Sequence, residues 1–234
     1  MLMSLATSGI SQNGYGSTSI YDRTVDLPRD KHFFVIPPNA VWRKMPWRDS
    51  VYLYDEFQEG KLEMATGFIP SHRPLLNYNK LLETIDIKQT DGEVVALRRT
   101  TDIRAVYIGD HKFIYEPSFG YLEIILDDTV SVAQKTYMDA IYELGNGHRY
   151  KLIGTDIKTA PAKSTRYYWE ARQYYIVGKN QKTFRSAPNV LTGMMPKIKK
   201  KIKAFAKTNK IDYKKKEDLL KVVAFANKEA RNTD

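Results

Sequence analysis

The sequence predicts an α+β protein that is mainly β: an antiparallel meander forming a sandwich or an open barrel, followed by a C-terminal αα-hairpin. Three observations carry this. Short runs rich in β-branched and aromatic residues recur through residues 51–186, with turn signals roughly every 8–12 residues. No helical crossover pattern separates them, which argues against βαβ folds. From Asn189 the apolar period becomes that of a helix.

Residues 1–11 read as the remnant of a signal peptide. They are apolar and small, and Gly9 and Ser11 stand at the −3 and −1 positions of a cut before Gln12. The basic region that opens such peptides is missing, so either translation starts upstream or this is a plain N-terminus. Residues 12–50 read as an arm lying across the main domain. HFFVIPPNAVW (32–42) holds one short strand, ended by Pro37-Pro38, because a residue before proline is pushed extended. Trp42, Met45 and Trp47 are expected as anchors buried under the arm.

The β-rich domain spans 51–186. Its expected strands are VYLYDEF, GKLEMATGFI, RPLLNYNK, LETIDIK, EVVALRR, IRAVYIG, HKFIYE, GYLEIIL and TVSVAQK. Turn signals divide them at Glu59-Gly60, Thr90-Asp91-Gly92, Gly109-Asp110 and Asp127-Asp128. TYMDAIYEL suits a short helix or a strand. RYYWEA and QYYIVG read as two strands, and a last one starts near Lys182.

Residues 187–230 form the basic helical hairpin. Met195, Ile198, Ile202 and Phe205 make one apolar stripe, with Pro196 placed early, where a missing N–H is tolerated. TNKIDY breaks the period. Leu219, Leu220, Val222, Val223 and Ala226 mark a second helix, with Glu217 and Asp218 at its start and Lys228 near its end, as the helix dipole prefers.

Charge is concentrated in this hairpin. Residues 197–216 carry ten lysines against one acid, Asp212, a net +9 out of +10 for the chain. Lys197/Lys201, Lys199/Lys203 and Lys203/Lys207 are like-charge i,i+4 pairs, each costing a few tenths of a kcal/mol. Burying the apolar stripe offsets this at roughly 1.5–3 kcal/mol per side chain. A solvated face explains the lysines without a ligand. The functional alternative is a polyanion-binding face built from Lys197, Lys199, Lys200, Lys201, Lys203 and Lys207.

LLNYN (75–79), IRAVYIG (103–109), KFIYE (112–116), GYLEI (120–124) and NKIDYKKKEDLLK (209–221) together resemble a group of secreted β-rich proteins from Bacteroidetes-type bacteria, over roughly residues 48–228. Members typically begin with a signal peptide, so the resemblance implies export. It implies no activity and brings no catalytic residue with it.

The residues themselves make a poor case for catalysis. Without cysteine there is no thiolate nucleophile and no Cys-ligated metal. His32, His72, His111 and His148 show no metal-ligand spacing, and no metal or cofactor is expected. Asp55 and Glu56 are strand neighbours facing opposite ways, and Asp127-Asp128 suits a turn. RYYWEARQYY interleaves arginine with aromatics, so Arg166, Tyr168, Arg172 and Tyr174 form a candidate contact surface. Plain alternation between core and solvent explains the same pattern. No apolar run approaches the ~20 residues that span a bilayer.

The expected function is a non-enzymatic exported protein of the periplasm or outer envelope, binding an anionic envelope component or a protein partner. A cytoplasmic protein using the hairpin on nucleic acid is the second reading. A hydrolase whose site is assembled from distant residues is the third.

Overall fold

The computed structural model describes residues 27–97, 102–151, 163–178 and 182–233, apart from the Trp42 side chain. The expected leader and its cut before Gln12 lie outside the described residues.

Twelve antiparallel strands form one sheet among the described residues. In chain order they are β1 (Phe34–Ile36), β2 (Gln58–Met64), β3 (Leu75–Asn79), β4 (Thr84–Lys88), β5 (Val94–Ala96) and β6 (Ile103–Ile108). They continue as β7 (His111–Glu116), β8 (Gly120–Leu126), β9 (Ser131–Glu143), β10 (Arg149–Lys151), β11 (Thr165–Val177) and β12 (Thr183–Arg185). The spatial order is β1-β11-β9-β8-β7-β6-β2-β3-β4-β5, with β10 on β9 and β12 on β11. Two meanders, β2 to β5 and β6 to β9, therefore meet where β2 pairs with β6.

That junction explains the fold class. Gln58 and Glu59 pair with β3, whereas Gly60 to Met64 pair with β6. The strand changes partner at Gly60. A Cβ there would lie 2.3 Å from Leu76 Cδ1 and 2.6 Å from the Tyr107 carbonyl, so only glycine fits. Past this corner the sheet turns back on itself. Leu76, Tyr78 and Ile85 pack against Val106, Ile108, Phe113 and Tyr121 from the other meander, and the Tyr78 and Phe113 rings stack at 5.6 Å.

Most predicted strands fall where the patterning places them. VYLYDEF does not form one. A 3₁₀ turn at Arg48–Val51 precedes an irregular run, with one bridge from Tyr52 to Asn79. Two backbone bonds join this run to β3 and the residue after it, Leu53 N–H to the Tyr78 carbonyl at 2.9 Å and Lys80 N–H to the Val51 carbonyl at 2.8 Å. Then the Asn77 side chain takes over: its Oδ1 accepts from the Tyr54 N–H at 3.2 Å and its Nδ2 donates to the Tyr54 carbonyl at 2.8 Å. TYMDAIYEL is strand, continuous with TVSVAQK in the 13-residue β9. RYYWEA and QYYIVG likewise merge into the 13-residue β11, its full length in register with β9.

The arm does more than lie on the surface. Its short strand, β1, pairs with β11, opposing Phe34 to Tyr168 and Ile36 to Arg166. Ile36 is its fully buried anchor, packed with Val51, Leu81, Met138, Tyr142 and Tyr168 of the β-rich domain. Met45 and Trp47 are only half-buried against that cluster, because the Trp47 indole N–H reaches the Val35 carbonyl at the rim.

Three α-helices close the described chain: α1 (Pro188–Met194), α2 (Lys199–Thr208) and α3 (Lys216–Arg231). The expected hairpin is α2 and α3; α1 is an additional short helix before it. Met195, Ile198 and Ile202 are buried and Phe205 is half-buried, as the stripe predicts. They join Leu219, Val222, Val223 and Ala226 in one core with Val130, Val132 and Ile176. The hairpin thus docks on the sheet and shares its core. Asn227, fully buried in α3, fastens the contact: its amide accepts from the Val130 N–H at 3.0 Å and donates to the Val130 carbonyl at 2.8 Å.

Candidate functional site

The docking of α2 sorts its lysines. Ile198 and Ile202 point into the core, so residues about a quarter-turn away flank the helix and the rest face solvent. Lys199, Lys203 and Lys207 fall at i, i+4 and i+8 on one flank, facing α1. Together with Pro188, Asn189, Thr192 and Gly193 of α1 they line a groove of about 570 Å³, closed at one end by Ile211 and Tyr213. Among the described residues no carboxylate lines it, so three lysines border one cleft with no described counterion inside it.

The other predicted lysines go elsewhere. Lys201 turns towards α3 and pairs with Glu229 at 2.7 Å. Lys200 is exposed on the outer face, and Lys197 lies on the far side of α1 in a different groove. The six-lysine face of the sequence is thus a three-lysine groove, one ion-paired lysine and two outliers.

Gly193 is a groove residue that sequence reasoning missed. Alanine inside a helix is better than glycine by roughly 0.5–1 kcal/mol. A Cβ at Gly193 would meet nothing within 4 Å, so no packing constraint calls for glycine. Glycine embedded in PNVLTGM was the available signal.

The aromatic stretch is not assembled into a contact surface. Tyr168 is 1% exposed, in the core beneath the arm. Tyr174 is half-buried against the helices. Arg166 donates to the Ala40 carbonyl at 2.9 Å, and Arg172 pairs with Glu170 at 2.8 Å. Along β11, Tyr168, Trp169 and Tyr175 are buried, Tyr167 and Tyr174 are half-buried, and Arg172 is exposed.

Two polar constellations formed by the fold were not legible in the sequence. His111 Nδ1 lies 2.6 Å from Glu123 Oε1, with the Tyr54 ring 5.1 Å from the imidazole. Asp86, buried in β4, accepts from Thr84 at 2.8 Å and from Tyr52 and Asn79 at 3.1 Å each. Burial first, and then the Asp86 charge, push the Tyr52 hydroxyl well above its usual range. A cleft of about 330 Å³ beside it also contains Asp49, whose side chain is 81% exposed. Asp86 is thus held by three donors within the fold, whereas Asp49 stands in solvent beside Arg48. Asp127 and Asp128 sit in the β8–β9 turn, tied to Lys112 and Arg231.

Among the described residues no three His, Asp or Glu side chains gather to hold a metal ion. No described helix is long and apolar enough to cross a membrane. No family model, curated protein or solved structure matches the chain.

Proposed function

We propose that this is a non-enzymatic, exported envelope protein that binds anionic material in the groove between α1 and α2. One observation carries the reading: Lys199, Lys203 and Lys207 line one cleft in which no described residue supplies a carboxylate. Solvated lysines need no cleft. The resemblance to secreted Bacteroidetes-type proteins supports the envelope setting.

The test is binding to inorganic polyphosphate and to vesicles of anionic and neutral lipid, over a salt series. Affinity for the anionic targets falls steeply with salt, as counterions compete. Each lysine near an anionic surface contributes about 1 kcal/mol, so the triple Lys199→Gln, Lys203→Gln, Lys207→Gln variant binds about 100-fold more weakly. Equal loss on replacing Lys200, Lys214 and Lys215 instead would show that net charge, not the groove, is responsible. Tighter binding to duplex DNA or RNA than to either target would favour the nucleic-acid reading. Mass spectrometry of the mature protein tests export, with pyroglutamate at Gln12 as the expected new terminus.

A further inference from the structure

The lysine groove has an apolar neighbour. On the other side of α1 lies a second groove of about 670 Å³. Val130, Phe184, Val190, Met194, Ile198 and Ala230 supply its mainly apolar lining, with Lys182 and Lys197 also bordering it. The volume is within the roughly 300–1,000 Å³ of small-molecule sites. Phe184, at the sheet edge in β12, is 43% exposed there, and Met194 is the kind of flexible side chain that adapts to an apolar guest.

The two grooves meet on α1. Asn189 and Gly193, one helical turn apart, line both of them. A Cβ at Gly193 would project into open space, so any larger side chain would stand between the grooves. Glycine keeps that saddle low. One molecule can therefore lie across α1 with an anionic end among Lys199, Lys203 and Lys207 and an apolar end against Phe184 and Met194.

Resting on the anionic reading above, we infer that the ligand is a single-chain anionic amphiphile, with its headgroup in the lysine groove and its chain in the apolar groove. Charge complementarity selects the head. Continuity across Gly193 selects a ligand with a chain over an inorganic polyanion, which would leave the apolar groove empty.

Titration calorimetry with octyl, decyl and dodecyl phosphate, each below its micelle concentration, tests this against inorganic polyphosphate. Expected is one molecule per chain, with affinity rising about fourfold per added methylene. Gly193→Trp places an indole on the saddle from a Cβ that meets nothing within 4 Å. It lowers dodecyl phosphate affinity at least tenfold and abolishes the chain-length dependence, whereas Gly193→Ala retains both. Phe184→Gln, at an exposed position, repeats the loss without touching α1. Affinity independent of chain length, with polyphosphate still bound, overturns the amphiphile and leaves the anionic reading standing. Failure of every probe overturns both. A dimer that Gly193→Trp dissociates in the absence of ligand overturns the inference too, because the groove is then an interface between copies.

Discussion

Replacing Asn227 with alanine separates a docked hairpin from an independent one by the sign of its effect. In an undocked helix, Asn→Ala is stabilising by roughly 0.5 kcal/mol, because alanine is the better helix former. In the docked structure the side chain makes two hydrogen bonds with Val130, at 3.0 and 2.8 Å, where both residues are buried. Removing it leaves the Val130 N–H and carbonyl without partners. Each stranded buried group costs about 1–3 kcal/mol. Even the lower end for both groups, less the propensity gain, leaves about 1.5 kcal/mol, and intermediate values give about 3 kcal/mol. At 2–4 °C per kcal/mol for a chain of this size, the melting temperature drops by about 3–12 °C. Urea unfolding, with Lys228→Ala as an exposed control on the same helix, measures it. The midpoint falls and the slope is unchanged if the protein unfolds as one unit. A neutral or stabilising Asn227→Ala refutes the docking.

Gly60→Ala destabilises by about 1–3 kcal/mol, the usual cost of overpacking, since its methyl group runs into Leu76 and the Tyr107 backbone. Thermal unfolding checks it, and an unchanged midpoint would remove the reason given for the sheet's corner. Glu170 supplies a pH signature. Burial raises its pKa, but the hydrogen bond and charge of Lys80, aided by Arg172, outweigh burial and hold it below the usual carboxylate range. A lowered folded-state pKa gives stability that is present above the unfolded value, about 4.3, and is lost as pH falls through the folded one. The stability gap between the native protein and Glu170→Gln should therefore be largest near neutrality and close on acidification below about pH 4.3. A gap that is constant from neutrality to pH 3 would contradict the Lys80 pairing.

Much of the fold was legible because its signals are local. Gly109-Asp110 and Asp127-Asp128 fall between strands where turn chemistry puts them. Ile198 and Ile202 are buried because helical spacing leaves them on one face. VYLYDEF was misread because its composition is that of a strand, while only its first residues bond the backbone of Tyr78 and Lys80 and the Asn77 side chain takes over at Tyr54 and Glu56. The two long strands were read in pieces because polar residues, Lys135-Thr136 in one and Arg172 in the other, resemble interruptions; in the fold Lys135 pairs with Glu83 and Arg172 with Glu170, and the ladder runs on through both.

The candidate site divides in the same way. That +9 of the chain's +10 charge sits in residues 197–216, on a helix with one apolar stripe, follows from residue order alone. Which lysines share a cleft does not. Lys199, Lys203 and Lys207 form a groove because α1 packs beside that flank, whereas Lys201, two residues from Lys199, is taken by Glu229 of α3. Periodicity says that a face is buried and is silent on what covers it. The partner comes from contacts between distant segments: β1 on β11, β2 on both β3 and β6, Asn227 on Val130. Those pairings are settled only when the whole chain closes its core, because each requires that its neighbours have already been brought together.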